Sequence, residues 1–279
     1  MVSHTLSLDP TFQPFTEGKS LSFETFTFSG GEPHIRINPD FDPDAGVRIA
    51  HRINSFYDLG LLCLAVDALR RLGVRHIESF IPYFPAARQD RVMSAGEPLS
   101  VKVYADIINA LLLQKVTIFD PHSDVTPALL HHCQVMNNHA FIAQALSDLS
   151  PNTLLVSPDA GALKKIYYLA KALGGRQVIE CSKNREIQTG QLHDFKVYAD
   201  DLQGQPGLLV DDICDGGRTF LGLAAALKAK NAGPLYLAVS HGIFSNGFEA
   251  LNGSFERIFT TNSIQSISQP SITQIGILL

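Results

Sequence analysis

Apolar and polar positions along the chain follow helical and extended periodicities in alternation. The predicted elements, in chain order, are helix 59–72, strand 76–81, helix 100–113, strand 115–119, helix 139–149, strand 153–157, helix 163–173, strand 207–210, helix 220–230 and strand 235–239. Gly73 suits the C′ position that ends the first helix, and Ser100 suits the N-cap of the second. This alternation predicts an α/β fold with mostly parallel sheets flanked by helices.

Polar segments that contain glycine or aspartate follow several of the predicted strands, at 82–98, 120–126, 157–161 and 211–219. Ligands of parallel α/β sheets bind at the carboxyl ends of the strands, so these segments are the candidate binding regions. The length of 279 residues allows one large domain or two smaller ones. We place a boundary after residue 136, which predicts domains 1–136 and 137–279.

Composition narrows the class of protein. The net charge of −5 argues against a nucleic-acid-binding surface, although local clusters can still bind phosphorylated ligands. The sequence begins without a signal peptide and contains no apolar run of about 18 residues, which predicts a soluble protein. Its four cysteines form no CxxC pair, which favours reduced thiols and a cytoplasmic location.

The most specific segment reads LLVDDICDGGRT, at 208–219. An apolar strand delivers two acids, and a glycine-containing turn then leads into a helix, so backbone N–H groups can point at an anion. Gly216 and Gly217 permit close approach, Arg218 can form a bidentate phosphate contact, and the acids suit ribose hydroxyls or a Mg²⁺ shell. An ordinary strand-to-helix turn with solvated acids is the alternative. The predicted ribose-phosphate-binding residues are Asp211, Asp212, Asp215, Gly216, Gly217, Arg218 and Thr219.

This loop resembles the one shared by phosphoribosyltransferases and phosphoribosyl pyrophosphate (PRPP) synthetases, and a second segment separates the two families. Residues 81–91, IPYFPAARQDR, followed by GEPLSVK at 96–102, are similar to the PYFxYARQDR…PxSxK run of PRPP synthetases. The resemblance implies that this segment lies over ATP. Arg88 would then contact phosphate, with Gln89 and Asp90 near the nucleotide.

Further segments occur in the order that the same family implies. FDPH, ending at His122, resembles its DLH motif, and SPDAG, containing Asp159, resembles SPDxGG. The resemblance implies that His122 contacts Mg²⁺ and the ATP phosphates and that Asp159 helps to hold the metal. FTFSGGE is similar to FSDGE, which implies that Phe28 packs on adenine and that Glu32 fixes the base; Phe28 as a core residue is an equal alternative.

SKNR, at 182–185, occupies the place of the family's catalytic KRR loop, in a polar stretch predicted to follow a strand that ends at residue 180. The resemblance implies that Lys183 and Arg185 stabilise the transition state, with Asn184 in place of the middle arginine. A solvated loop is the alternative. His241 lies in a strand end similar to the family's THGxxS, whose role is partly structural.

The resemblance implies two phosphoribosyltransferase-like domains, an ATP-side one and a sugar-phosphate one, in a homo-oligomer of at least two chains. It also implies transfer of the β,γ-diphosphate of ATP to the 1-hydroxyl of ribose 5-phosphate, with Mg²⁺ as cofactor. Two departures stand out: the usual DTAGT loop is DGGRT here, and the family's first strand and helix are not recognisable.

Three other functions remain open at this point. Arg218 could admit a larger 5-substituted ribose such as ADP-ribose to the same reaction. A phosphoribosyltransferase would need the 211–219 loop but not Arg88, His122 or Lys183. A non-catalytic regulatory subunit would be expected to lose Lys183 and Arg185, which are present.

Overall fold

The computed structural model describes residues 3–185 and 192–279, which form two compact units. Unit 1 is Met1–Asn137 with Gly276–Leu279, and unit 2 is Asn138–Ile275. The chain end belongs to unit 1 because the Leu279 N–H donates to the Pro14 carbonyl (2.7 Å) and the Leu279 carbonyl accepts from the Thr16 N–H (3.0 Å). The sequence had assigned all of 137–279 to the second domain.

Unit 1 is built on a parallel sheet in the order β2-β1-β5-β6-β7-β8, with β3 and β4 as a separate hairpin. Its elements are β1 (His4–Ser7), β2 (Lys19–Ser20), β3 (Phe23–Thr27), β4 (Pro33–Ile37), β5 (Val47–Ala50), α1 (Phe56–Arg71), β6 (Ile77–Ile81), α2 (Ser100–Ala110), β7 (Lys115–Phe119), α3 (Val125–Leu129) and β8 (Cys133–Met136). The fully buried strand β1 is a first strand that was not recognisable in the sequence.

Unit 2 has a sheet in the order β11-β10-β9-β12-β13-β14-β15, parallel except for β11. Its elements are α4 (His139–Ser147), β9 (Leu154–Ser157), α5 (Leu163–Ala172), β10 (Val178–Arg185), β11 (Leu192–Val197), β12 (Gly207–Cys214), α6 (Arg218–Ala229), β13 (Leu235–Gly242), α7 (Glu249–Asn252), β14 (Arg257–Thr261) and β15 (Ile272–Ile275). The predicted α/β class with mostly parallel sheets is confirmed.

Helix α1 shows how local sequence sets an element. Ser55 caps its start by accepting from the Asp58 N–H (3.3 Å), and Gly73, at φ 93°, ends it as predicted. The second helix differs from prediction: Leu99 is the N-cap and Ser100 is already helical, without a side-chain cap. That helix ends at Ala110 because the following N–H groups fold back on its last carbonyls.

Three strands of unit 2, β10, β12 and β13, are longer than predicted. β12 continues to Cys214, so Asp211 and Asp212 lie within the strand, because β13 continues beside it as far as Gly242. β10 continues to Arg185 because β11 pairs with it beyond residue 180. Lys183 therefore lies on a strand and not in an open loop.

Two findings concern the predicted lack of membrane spans and the predicted reduced cysteines. Within the described ranges, no helix combines the length and the apolar character needed to cross a membrane. All four cysteines are free thiols. Burial in apolar surroundings raises the pKa of Cys133 to about 11, so this side chain stays a thiol at neutral pH.

Candidate active site

Neighbouring strand ends in unit 1 bring two of the predicted motifs together. β6 and β7 are parallel neighbours, paired from Glu78 with Lys115 to Ile81 with Ile118. The segment that contains Arg88, Gln89 and Asp90 leaves the carboxyl end of β6, and the segment ending in His122 leaves the carboxyl end of β7. Both therefore lie at the sheet edge where ligands of parallel α/β sheets bind.

Asp90 is a buried acid of this edge, with only 8% of the residue exposed. Its Oδ1 accepts from Arg91 Nε at 3.0 Å, while its Oδ2 is buried with no hydrogen-bond partner in the described part of the chain. The Arg91 hydrogen bond lowers the pKa of Asp90 against the opposing effect of burial, and Ser123 and His122 lower it further. An ionised carboxylate with an unused oxygen is thus held beside His122.

Arg88 and Gln89 are exposed, as groups that contact a soluble nucleotide must be. The Gln89 N–H donates to the Ala86 carbonyl (2.8 Å), and the Gln89 carbonyl accepts from the N–H of Val101 in α2 (3.4 Å). Ala86 adopts φ 56°, a left-handed conformation that is uncommon for alanine. The backbone of this segment is therefore tied to α2 while two long polar side chains project outwards.

The β3–β4 hairpin carries Phe28 and Glu32 on its turn. The Phe28 N–H donates to the Glu32 carbonyl at 2.9 Å, which closes the turn. Phe28 is 52% exposed, so the structure does not support the alternative of a core residue. Its ring makes edge contacts with Phe26 (5.0 Å) and His34 (5.4 Å), which leaves an exposed group of rings on which a flat base could pack.

In unit 2, the sheet order places β9 between β10 and β12, which brings three predicted segments side by side. Asp159 follows β9 and caps a 3-10 turn, its Oδ1 accepting from the Ala162 N–H at 3.1 Å. Its Oδ2 forms an ion pair with Lys183 Nζ on β10, and about a fifth of each side chain is exposed. Arg185 ends the same strand, but its side chain lies outside the described part of the chain.

Asp211 and Asp212 lie where β12 has parted from β9, because pairing between those strands stops at Leu209. Asp211 Oδ1 accepts from the Asp212 N–H (2.9 Å), and Asp212 Oδ1 accepts from the Ile213 N–H (3.0 Å). Burial raises the pKa of Asp211 well above its ordinary value, and the nearby charges of Asp212 and Asp159 raise it further. Asp159, Asp211 and Asp212 therefore lie close enough together that each negative charge disfavours ionisation of Asp211.

Two side chains that follow β13 form hydrogen bonds to the turn between β12 and α6. Ser245 Oγ donates to Asp215 Oδ1 (2.7 Å), and Asn246 Nδ2 donates to the Gly216 carbonyl (3.1 Å). Gly217 adopts φ 78° as the N-cap of α6, a left-handed conformation that favours glycine.

Arg218 and Thr219 begin helix α6, with Arg218 exposed. Backbone N–H groups of 216–219 donate no hydrogen bond to another described residue. Backbone N–H groups, a helix N-terminus and a guanidinium at one turn are the groups that can bind an anion. We call residues 215–219 the phosphate turn.

The donors present fit Mg²⁺, although no three His, Cys, Asp or Glu side chains of the described ranges form a ready-made metal group. Mg²⁺ is usually held by one or two carboxylates together with substrate phosphates, so a complete protein cage is not required. Asp159 Oδ2 already contacts a cation, the Lys183 ammonium. Its position therefore suits positive charge.

Sequence reasoning missed one residue that shapes the site and identified another only as a motif position. Asn246 was not predicted, although it follows directly on the strand-end segment that contains Ser245. His241, buried in the same segment, bonds Ser263 Oγ through Nδ1 at 2.8 Å, in agreement with a structural role.

Comparison with known proteins agrees with this architecture. The two-unit α/β fold is that of a solved phosphoribosylpyrophosphate synthetase from Mycobacterium smegmatis, with a TM-score of 0.81 and 22% identity over 99% of this chain and 95% of that one. Residues 20–111 match the model for the N-terminal domain of ribose phosphate pyrophosphokinase. The chain therefore has the fold of PRPP-synthetase-like proteins.

Curated relatives identify the family. A ribose-phosphate pyrophosphokinase from Thermococcus kodakarensis is 30% identical over 258 residues, which cover 91% of this chain and 90% of the relative. One from Aquifex aeolicus is 28% identical over 249 residues, 85% of this chain and 78% of the relative. The chain belongs to the ribose-phosphate pyrophosphokinase family and is an enzyme of this kind, a kinase of the transferase class.

Proposed function

We propose that the protein transfers the β,γ-diphosphate of ATP to the 1-hydroxyl of ribose 5-phosphate, which yields PRPP and AMP. The observation that carries this proposal is the ion pair between Lys183, on β10, and Asp159, which follows β9. β9 is the sheet neighbour of β12, the strand that leads into the phosphate turn. A protein that only binds a sugar phosphate needs the turn but has no use for that lysine. A diphosphate transfer needs both.

The sugar-phosphate half of the reaction rests on unit 2. The 5-phosphate would accept hydrogen bonds from the free N–H groups of the phosphate turn, with Arg218 and the Thr219 hydroxyl as further donors. Asp211 and Asp212 suit the ribose hydroxyls, because carboxylates accept from them, and Asp215 is already fixed by Ser245.

The nucleotide half rests on unit 1. Phe28 offers an exposed ring for the adenine, and Glu32, on the same turn, can accept from its amino group. Arg88 is suited to a phosphate contact and Gln89 to the nucleotide. Asp90 and His122 form one local group, in which the free Oδ2 of Asp90 can accept a hydrogen bond.

In the chemical step, the sugar 1-oxygen forms a bond to the β-phosphorus, and the bond from that phosphorus to the oxygen bridging the α-phosphate breaks. The hydroxyl proton is released and AMP leaves with the electron pair. Negative charge spreads over the transferring oxygens, so Lys183, Arg185 and His122 would act by positioned positive charge and hydrogen bonding. Mg²⁺ would supply further charge neutralisation when bound, and Asp159 of unit 2 is suited to contribute a carboxylate ligand to it.

An assay of AMP release with two acceptors tests the proposal. We expect Mg²⁺-dependent AMP and PRPP formation with ATP and ribose 5-phosphate, and much slower release with ADP-ribose. Faster release with ADP-ribose would show a larger acceptor. ATP binding without AMP release would indicate a regulatory subunit, and diphosphate release from PRPP with a nucleobase would indicate a phosphoribosyltransferase; either result refutes the proposal.

The family resemblance also motivates a quaternary proposal. We propose that the protein forms a homo-oligomer of at least two chains. Light scattering after size exclusion measures the mass directly, and a mass near the 30.4 kDa of one chain would contradict this.

A further inference from the structure

The backbone at Lys183 does not pair with β9, the neighbouring strand in the main body of the sheet. β10 pairs with β9 only through Val178, Ile179 and Glu180. From Cys181 onwards its partner is β11, the edge strand, and Lys183 lies directly opposite Phe195. The backbone at Lys183 is therefore held by pairing with β11, while its ammonium contacts Asp159.

Phe195 and Val197 attach β11 to the core of unit 2, and Phe195 is the one that lies opposite Lys183. Its ring packs against the core cluster and lies over Gly222 of helix α6, so closely that a Cβ on Gly222 would fall 2.0 Å from Phe195 Cε2. Glycine inside a helix costs about 1 kcal/mol relative to alanine, so a packing requirement is a physical reason for it here. Because Gly222 has no side chain, the Phe195 ring can pack directly on its backbone.

The same helix begins at the phosphate turn. Gly222 lies one turn after Arg218, the first residue of α6. Directly opposed residues of an antiparallel pair project to the same face, so Phe195 and Lys183 point to the same side of the strand pair. One aromatic contact thus joins the strand pair that carries Lys183 to the helix that begins at the phosphate turn.

We infer that Phe195 is a positioning residue, which, seated on Gly222, fixes the place of Lys183 relative to the phosphate turn. This inference rests on the proposed function for its effect on turnover, but not for its geometry. A methyl group at Gly222 requires the ring to move by about 1.5 Å to reach ordinary contact. Misplacement of a reacting or stabilising group by about 1 Å can cost on the order of 100-fold in rate.

The test compares Gly222→Ala, Phe195→Leu and the double variant. Gly222→Ala should lower kcat about tenfold to 100-fold while the KM values for ATP and ribose 5-phosphate change less than threefold. The double variant should recover part of that loss, because leucine leaves room for the methyl group. Phe255→Leu is the matched control, since Phe255 belongs to the same core cluster but precedes β14, and its kcat should stay within twofold of wild type.

A second readout is independent of turnover. In competitive labelling with trace acetic anhydride, Lys183 should react several times faster in Gly222→Ala than in wild type, because its contact with Asp159 is disturbed. Unchanged labelling and unchanged kcat in a folded Gly222→Ala variant, or no coupling in the double variant, would overturn the inference. Faster labelling with turnover that does not depend on Lys183 would instead overturn the proposed function.

Discussion

Replacement of Lys183 by alanine should strengthen metal binding while it weakens catalysis. In the structure the Lys183 ammonium contacts Asp159 Oδ2, the oxygen expected to bind Mg²⁺. Lysine and metal would therefore compete for one carboxylate. Removal of the lysine leaves that oxygen available, and it also removes a positive charge that repels the cation.

The expected magnitude follows from the separation of charges. Two unit charges about 4 Å apart interact by about 1 kcal/mol in water, and a divalent ion doubles this value. Both side chains are mostly buried, so screening by water is incomplete. Relief of about 1–2 kcal/mol corresponds to metal binding that is roughly five- to thirtyfold tighter.

Mn²⁺ binding, followed by electron paramagnetic resonance of the free ion without ATP, measures this affinity without reference to activity. Lys171→Ala is the matched control, since Lys171 is an exposed lysine in the last turn of α5, and it should leave Mn²⁺ binding unchanged. In AMP-release assays, Lys183→Ala should lose on the order of 100-fold in kcat or more. Mn²⁺ affinity equal to or weaker than wild type would refute the competition.

Three further predictions concern stability and each substrate. Asp9→Asn should cost about 3–5 kcal/mol in urea unfolding at pH 7, because it removes the negative charge that pairs with the buried Arg52 guanidinium; exposed Asp67→Asn should cost under about 1 kcal/mol. Burial raises the pKa of Asp9, but hydrogen bonds from Thr11 and Arg52 outweigh this effect, so the pKa is lowered overall. Asp9 therefore contributes its full stability above pH 3.8, and the contribution is lost as the pH falls through the lowered pKa. A stability difference between wild type and Asp9→Asn that persists in acid would contradict this. Arg218→Ala should raise the ribose 5-phosphate KM roughly tenfold, and an unchanged KM would remove this residue from the phosphate site. Phe28→Leu should raise the ATP KM severalfold and leave the sugar KM unchanged, and equal effects on both would argue against base packing.

The sequence was most informative where function depends on strand ends. Apolar strands followed by polar, glycine-containing segments predicted which edge of each sheet would carry the candidate residues, and the α/β class followed from the alternation alone. Gly73 ends its helix as predicted because the requirement there is local: a left-handed residue after the last turn.

Features that depend on distant partners were not predictable in this way. β12 continues through Asp211 and Asp212 because β13 runs beside it, and Lys183 lies on a strand because β11 pairs with it. Neither pairing is encoded in the short polar segments themselves. The contact of Phe195 with Gly222 likewise needs the tertiary fold, since a lone glycine in a helical pattern has no local explanation.

Asp159 has consequences for how mutagenesis of this enzyme is interpreted. One oxygen of its carboxylate secures the chain at Ala162, and the other meets Lys183. Asp159→Ala would therefore remove the hydrogen bond to Ala162 and the ion pair with Lys183 at once, so their effects could not be separated. Asp159→Asn keeps a carbonyl oxygen that can accept from the Ala162 N–H and removes the charge that pairs with Lys183. This substitution therefore separates the two contributions.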